Sequence, residues 1–161
     1  MNNININASI LSEGVQKIVG VVERKQTMPI LSHILIESSK GKLTLTSTDL
    51  EVQLSCIIDN VNSNDDFITT IPGHKANEII RSLSNKEIEM LISDSTITIK
   101  SSNSSFKLQS LSANEFPLFD AAGSDTTFGA KQQEIKSLFN KTQFSMAQQD
   151  VRFYLNGLLL E

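Results

Sequence analysis

Most of the chain alternates apolar and polar residues, which is the pattern of β-strands with one buried face. The clearest case is 42–48, where Leu43 and Leu45 alternate with lysine, threonine and serine. Because the opposite face of such strands is polar, we expect antiparallel sheets with one side in water. Further strands are predicted near 3–7, 31–38, 50–58, 67–71, 87–92, 95–100 and 104–110.

Two segments change to the spacing of an α-helix. In 9–23 apolar residues recur every three or four positions, and Asn7 or Ser9 can cap the N-terminus. In 72–83 Pro72 lies near the start, where its missing N–H costs nothing. The order strand, helix and three strands therefore occurs twice, first in 3–58 and again in 67–110.

A third copy of this β-α-β-β-β unit begins later in the chain and is incomplete. A strand is predicted at 126–130 and a helix at 132–142. The segment 155–161 matches 31–37 at an offset of 124 residues. It is expected to form a strand like its counterpart.

The predicted fold class is therefore α+β, with repeated β-α-β-β-β units and two helices on one face of antiparallel sheets. Residues 1–121 are expected to form a complete first domain of two units. Residues 122–161 are expected to hold a linker and the truncated start of a second domain.

Charge argues against a protein that grips nucleic acid over its whole surface. The net charge is 14 − 18 = −4, whereas phosphate contacts need clustered lysine and arginine. A locally basic face is still possible, because Lys17 and Arg24 lie opposite the apolar stripe of the first helix. The other two predicted helices carry His74, Lys75 and Arg81, and Lys131, Lys136 and Lys141.

Cysteine and histidine are too few for a disulfide scaffold or a zinc site. The chain has one cysteine, Cys56, and two histidines. His33 is expected to pack and hydrogen-bond inside an apolar strand, whereas His74 is expected to be exposed. We expect no metal and no cofactor. The N-terminus lacks a secretory pattern and no apolar run could cross a bilayer, so a cytoplasmic location is predicted.

Catalysis is the less favoured function class. Phosphate-binding glycine loops and the Gly-x-Ser-x-Gly motif are absent. Asp49 and Glu51 could form an acid pair for a small acid/base enzyme, although turn and strand-edge carboxylates are the commoner interpretation. A stand-alone interaction module is another alternative.

The segment 145–154 mixes amides, an aspartate, an arginine and two aromatics between a helix and the predicted strand. Such a mixture suits contact with a nucleic-acid backbone or with a peptide. The alternative is an ordinary loop whose aromatic residues return to the core.

Four motifs resemble the bacterial DNA polymerase III β subunit family, the replicative sliding clamps. They are Thr-Met-Pro-Ile-Leu at 27–31, Leu-Thr-Leu-Thr-Ser-Thr-Asp-Leu-Glu at 43–51, Ala-Asn-Glu-Phe-Pro at 113–117 and the long block 142–157. The resemblance implies a DNA clamp fold and a head-to-tail homodimeric ring of three-domain subunits, with helices lining the hole. Such a ring would encircle double-stranded DNA, slide along it without sequence preference, and tether the replicative polymerase. The clamp loader and other clamp-binding peptides would be further partners.

The resemblance also implies sites at particular residues. Contacts to DNA would fall on Lys25, His74, Gln149, Phe153 and Tyr154, with Arg24 as a neighbouring cation. Arginine is usual in the family at the first two sites and tyrosine at the fourth. Arg152 and Leu155 would begin a partner-peptide pocket, and Lys75, Phe106 and Leu108 would contribute to the dimer interface. The family closes its ring through a third domain, so the 161 residues alone are not expected to form a functional ring.

Overall fold

The computed structural model describes residues 2–23, 28–63, 66–83, 86–119, 128–148 and 150–160, except the side chain of Phe153. Arg24, Lys25 and Gln149, three of the predicted DNA contacts, lie outside the described residues. The chain divides into two compact units, Met1–Asp120 and Ala121–Glu161.

The first unit contains the β-α-β-β-β order twice, with one short strand between the two copies. Its elements are β1 (Asn2–Asn7), α1 (Ala8–Ile18), β2 (His33–Ser39), β3 (Lys42–Thr48), β4 (Gln53–Ile58), β5 (Asn62–Ser63), β6 (Phe67–Pro72), α2 (Gly73–Ser82), β7 (Glu87–Ser93), β8 (Thr96–Ser101) and β9 (Ser104–Gln109). Short 3₁₀ helices cover Val19–Val21, Pro29–Ser32 and Ala113–Glu115. The predicted α+β class is confirmed.

Two antiparallel sheets enclose one hydrophobic core. Their strand orders are β5-β1-β7-β8-β9 and β4-β3-β2-β6. The predicted alternation fixes the register, because Leu43 pairs with Ile58 and Leu45 with Ile36, and all four side chains are buried. Each sheet thus contributes its apolar face and leaves much of its polar face to solvent.

The two helices lie side by side and complete this core. α1 packs on β3 and β4, while α2 packs on β2 and β6. The α1 helix begins at Ala8 because the Asn7 side-chain oxygen accepts a hydrogen bond from the Ser9 N–H at 2.9 Å.

The α1 helix ends at Ile18, five residues before the predicted end. The Ser47 hydroxyl donates to the Ile18 carbonyl at 2.7 Å in a buried position, which satisfies a carbonyl that the helix leaves free. The chain then tightens into the 3₁₀ helix Val19–Val21. A bond from a strand 29 residues away therefore helps to set this boundary.

β5 is an element that the sequence pattern did not predict. It pairs with β1 through Ile4 with Ser63 and Asn5 with Asn62. A segment of two polar residues has no hydrophobic periodicity, so β5 is defined only by its pairing with the distant strand β1.

A polar network joins the chain leaving β9 to strand β6. The Thr70 hydroxyl accepts from the Leu111 N–H at 3.0 Å and lies 2.8 Å from its carbonyl oxygen. His33 Nδ1 is 3.0 Å from the same hydroxyl. Beside the network, Ile30, Leu31, Leu35 and Phe116 form a second buried cluster. The prediction that His33 is packed and hydrogen-bonded is confirmed.

Burial of His33 makes the stability of the first unit depend on pH. Desolvation lowers the pKa of His33 below its ordinary value. The unfolded chain therefore binds a proton at a higher pH than the folded one, so stability is lost as pH falls below about 6.5. We expect the free energy of unfolding to decrease more between pH 7.5 and 5.5 in the natural chain than in His33→Asn. Urea unfolding at both pH values measures this, and parallel pH profiles would contradict it.

The second unit contains α3 (Gln132–Thr142) and the 3₁₀ helices Gln143–Ser145 and Phe153–Asn156. Two predicted strands are wrong. Residues 128–130 are not a strand, and 126–127 lie outside the described residues. Residues 155 and 156 end a 3₁₀ helix, and 157–160 do not form a β-strand. A strand needs a neighbour to hydrogen-bond with, and the described part of this unit offers none.

The helical elements of the two units correspond residue for residue. α1 and α3 each have 11 residues and begin 124 residues apart. The 3₁₀ helices Val19–Val21 and Pro29–Ser32 correspond at the same offset to Gln143–Ser145 and Phe153–Asn156. The second unit therefore begins as a repeat of the first. None of the helices in the described ranges is both long and apolar enough to cross a lipid bilayer.

Candidate nucleic-acid interface

Two of the predicted DNA contacts, Lys25 and Gln149, are at equivalent sequence positions in the two units. Residues 22–28 connect the two 3₁₀ helices that follow α1, and 146–152 connect the two that follow α3. At the offset of 124, Arg24 and Lys25 correspond to Gln148 and Gln149. Lys25 and Gln149, which the family resemblance assigns to DNA in separate segments, thus share one position of a repeated unit.

The backbone of this connection is held by the same hydrogen bonds in both units. In the first, the Glu23 N–H donates to the Leu31 carbonyl and the Leu31 N–H to the Met28 carbonyl, both at 3.2 Å. The second unit has the same two bonds 124 residues later, at 2.9 Å each, from Ala147 to Leu155 and from Leu155 to Arg152. The described ends of the two loops are therefore joined by equivalent backbone hydrogen bonds.

The second loop adds a network of side chains. The Asp150 carboxylate accepts hydrogen bonds from Nε and Nη2 of Arg152, both at 3.0 Å. These side-chain bonds, followed by one from the Arg152 backbone, lower the pKa of Asp150, and the pairing raises the pKa of Arg152. Asn156 bonds the backbone of Asp150 through both ends of its amide. Sequence reasoning selected this loop but missed Asn156, whose role depends on the loop closing on itself.

Tyr154 and Leu155 lie beside this network with different exposure. Tyr154 is 77% exposed, and Leu155 is half-buried. The side chain of Phe153 is outside the described set. An exposed aromatic next to a fixed loop can stack on or lie along a ligand. Arg152, predicted to begin a peptide pocket, is engaged with Asp150.

His74 is not exposed as predicted. It is half-buried at the start of α2, and its Nε2 lies 3.0 Å from the carbonyl oxygen of Val22. Because a carbonyl only accepts, Nε2 is the donor in this bond. The bond joins α2 to the chain entering the first loop, a contact across 52 residues that the local pattern could not show.

An open cavity of about 580 Å³ lies beside α2 and is lined by His74 and Lys75. His74 was predicted to contact DNA, and Lys75 was predicted to contribute to the dimer interface. Arg81, Glu23 and Glu78 also line it. Two cations thus face two carboxylates, so the cavity is charge-balanced rather than strongly basic.

Three lysines, one in α1, one in α2 and one directly before α3, are each paired with a glutamate three or four positions away. Lys17 binds Glu13 at 2.9 Å, Lys75 lies 3.5 Å from Glu78, and Lys131 lies 3.7 Å from Glu134. Within the described ranges, Lys136 and Lys141 of α3 have no acidic partner within 4 Å. Exposed pairs of this kind are weak and screened by salt. Their lysines can therefore exchange a carboxylate for a phosphate.

Phe106 and Leu108 lie on β9, the last strand of its sheet. They pair with Ile99 and Ile97 and pack partly buried against the core. Of the described strands, only β8 pairs with β9. The outer edge of β9 can therefore accept a further strand.

Asp49 has a structural role in the turn between β3 and β4. Its Oδ1 accepts from the N–H groups of Glu51 at 3.0 Å and Val52 at 2.7 Å. Asp49 and Glu51 are turn residues and not two positions on one strand face. In the described part of the chain, no group of three metal-ligating side chains could hold an ion.

Comparison with known proteins gives one consistent result. The family model described as "DNA polymerase III beta subunit, N-terminal domain" matches residues 2–120. Beta sliding clamps of Pseudomonas aeruginosa and Escherichia coli K12 are each 37% identical to the chain, over 160 and 152 residues. These alignments cover 99% and 94% of this chain but only 44% and 42% of the relatives.

Solved structures agree with these relatives. A crystal structure of the DNA polymerase III subunit beta from P. aeruginosa superposes with a TM-score of 0.91 and 35% identity, covering 96% of this chain and 42% of that one. The DNA polymerase sliding clamp of Caulobacter crescentus gives 0.90 at 28% identity, with the same coverage. With its fold, its repeated loop and its family match in agreement, the chain belongs to the DNA polymerase III beta subunit family, whose N-terminal domain it contains in residues 2–120.

Proposed function

We propose that this chain supplies the first domain and the beginning of the second domain of a bacterial sliding clamp. In this function a homodimeric ring encircles duplex DNA and tethers the replicative polymerase, without catalysis of its own, in the cytoplasm. The chain spans less than half the length of the curated relatives it matches. Ring formation therefore belongs to the complete protein.

The observation that carries the proposal is the repeated loop. The described ends of two loops 124 residues apart are joined by the same backbone hydrogen bonds, and each loop contains a residue that the family resemblance assigns to DNA contact. Contacts to phosphate of this kind carry no sequence information, which suits a protein that slides.

Charge supports a weak hold on DNA. The net charge is −4, and the described lysines of α1 and α2 are paired with glutamates of the same helix. A protein of this kind makes few lasting phosphate contacts, so its attachment has to come from encircling DNA. Few contacts also mean a shallow dependence of affinity on salt.

Partners would meet this region at two further surfaces. The free edge of β9, which carries Phe106 and Leu108, is suited to binding the second subunit of the ring. Lys75 would contribute to the same dimer interface. Arg152 and Leu155 would form the first part of a pocket for polymerase, clamp-loader and other clamp-binding peptides.

We expect the double substitution Lys25→Ala with Gln149→Ala, made in the complete protein, to weaken binding to a short primed duplex by about thirtyfold at low salt. Each residue would lose one hydrogen bond to the DNA backbone, and such bonds are worth about 1 kcal/mol each. Anisotropy of a fluorescently labelled duplex gives the dissociation constant.

The matched control is Lys100→Ala. Lys100 is exposed on the polar face of β8, on the side of its sheet away from the core. Its loss removes the same charge and should leave affinity nearly unchanged. An unchanged dissociation constant for the double variant, with an intact fold, would reject the assignment of these loops to DNA.

A further inference from the structure

An open groove of about 830 Å³ lies in the first unit, beside strand β6. It is lined by residues 67–69 of β6, by 93–95 around the β7–β8 turn and by 110–114 of the chain that follows β9. We call it the β6 groove. None of these residues belongs to the surfaces proposed above for DNA, for the second subunit or for clamp-binding peptides.

The β6 strand turns a free edge toward this groove. Among the described strands, only β2 pairs with β6. In an antiparallel pair, the N–H and C=O groups of alternate residues point away from the partner strand. Thr70 is such a residue, because its N–H donates to the Ser110 hydroxyl at 3.4 Å. Ile68, two positions earlier, therefore also directs its N–H and C=O away from β2.

The backbone of Ile68 is available for a further strand. Its N–H and C=O have no hydrogen-bond partner among the described residues, and its side chain is 50% exposed. Unpaired groups of this kind on an edge strand are a template for an added extended segment. At Thr70 the edge is already occupied, since the Thr70 hydroxyl and the Leu111 backbone bond to each other. The open stretch is therefore short.

The charge of the β6 groove selects the kind of segment that fits. Asp94 is the only charged side chain among the described residues that line it. In the described part of the chain, no cation lies within 4 Å of the Asp94 carboxylate. Phe67, Ile68 and Leu111 add apolar surface. A basic segment with alternating apolar residues complements both features.

We propose that the β6 groove binds an extended, basic peptide segment of a partner protein. The segment adds to the edge of β6, where its backbone donates to the Ile68 C=O and accepts from the Ile68 N–H. A lysine or arginine of the segment faces Asp94. A second copy of this chain fits less well, because symmetric pairing about Ile68 would set residue 66 of one copy opposite Thr70 of the other, where Ser110 lies.

The test adds the blocked pentapeptide Val-Lys-Val-Lys-Val to the complete protein, labelled with ¹³C at its isoleucine methyl groups. We expect saturable shifts of the Ile68 and Ile92 methyl signals, because both residues line the groove. Ile57 is the internal control, since it is 60% exposed on β4 and should not shift. The absence of a saturable shift at Ile68 would overturn the proposal.

Two altered peptides test the two parts of the interaction separately. Replacing both lysines with glutamate should weaken binding at least about threefold at low salt, because the charge then repels Asp94. Methylating the internal amide nitrogens should weaken it about fivefold, because the donor to the Ile68 C=O is lost. Equal affinity of the glutamate peptide would reject the basic segment, and equal affinity of the methylated peptide would reject strand addition.

Two protein variants test the same contacts from the other side. Ile68→Pro removes an N–H that no β2 residue uses, a change that edge strands tolerate. It should weaken binding about fivefold, followed at Ile92, and the methylated peptide gives the same test if the variant does not fold. Asp94→Asn should weaken binding about threefold at low salt. The matched control, Glu51→Gln, alters an exposed carboxylate in the β3–β4 turn and should have no effect.

Self-pairing of β6 has its own signature. It would shift the Ile68 signal with protein concentration in the absence of peptide. That result would overturn the proposal in favour of a second copy as the occupant, whereas a signal that does not change on dilution supports a partner peptide.

Discussion

Replacing Gly14 with leucine is expected to lower the free energy of unfolding of the first unit by about 2 kcal/mol. Gly14 lies in the middle of α1, where a Cβ atom would be 2.9 Å from Ile58 Cδ1 and 3.3 Å from Leu45 Cδ1. Overfilling a packed core costs about 1–3 kcal/mol or more, while leucine regains about 1 kcal/mol of helix propensity. The remaining loss should lower the urea midpoint by about 1 M.

Two further variants serve as controls for this prediction. A Cβ at Gly20 would meet nothing within 4 Å, so Gly20→Leu should leave the midpoint nearly unchanged. Gly14→Ala should be close to neutral, because its methyl contacts only the ends of flexible side chains. A Gly14→Leu protein as stable as the natural chain would show that α1 does not approach the sheet this closely.

The position of Gly14 is occupied by a much larger residue in α3. The equivalent residue there is Leu138, which is 62% exposed. Two core positions of α1 do have apolar equivalents in α3, since Leu11 corresponds to Ile135 and Val15 to Phe139. The two helices therefore share part of their pattern but differ at Gly14, where α1 closely approaches Leu45 of β3 and Ile58 of β4.

Elements with a strong local pattern could be predicted from the sequence. The predicted strand 42–48 is β3, and the predicted helix 132–142 is α3. In both, the side chains alone specify the period. The N-cap at Asn7 could also be anticipated, because its partner is two residues away.

Features that depend on distant partners could not be predicted. β5 exists because of β1, and α1 ends early with help from Ser47. The segment 155–161 has the apolar pattern of a strand, yet side-chain pattern does not supply the neighbouring strand that a ladder requires.

The same distinction between local pattern and distant partners applies to the residues of the candidate site. The composition of 145–154 predicted a binding segment, whereas the two hydrogen bonds between the Asn156 amide and the Asp150 backbone depend on how the chain folds back. His74 was placed near the start of its helix correctly but predicted as exposed, because its bond to the Val22 carbonyl joins two separate segments. Identity and spacing thus located the residues, and only the structure gave their partners.

The prediction with the largest functional effect concerns how the complete protein stays on DNA. If attachment comes from encirclement, a circular duplex should retain the protein, and a double-strand cut in that circle should release it through the new ends. Tight phosphate binding would instead hold the protein on both forms and would depend steeply on salt. The pairing of Lys17 and Lys75 with glutamates of their own helices favours the first behaviour.

The most direct measurement is therefore retention on one plasmid before and after linearisation. The complete protein is loaded on a nicked circle with its clamp loader, freed from unbound protein by gel filtration, and divided in two. One half is cut with a single-site restriction enzyme, and the DNA-bound fraction of each half is measured. We expect the bound protein to remain on the circle and to be lost from the linear duplex. Equal retention on both forms would contradict it.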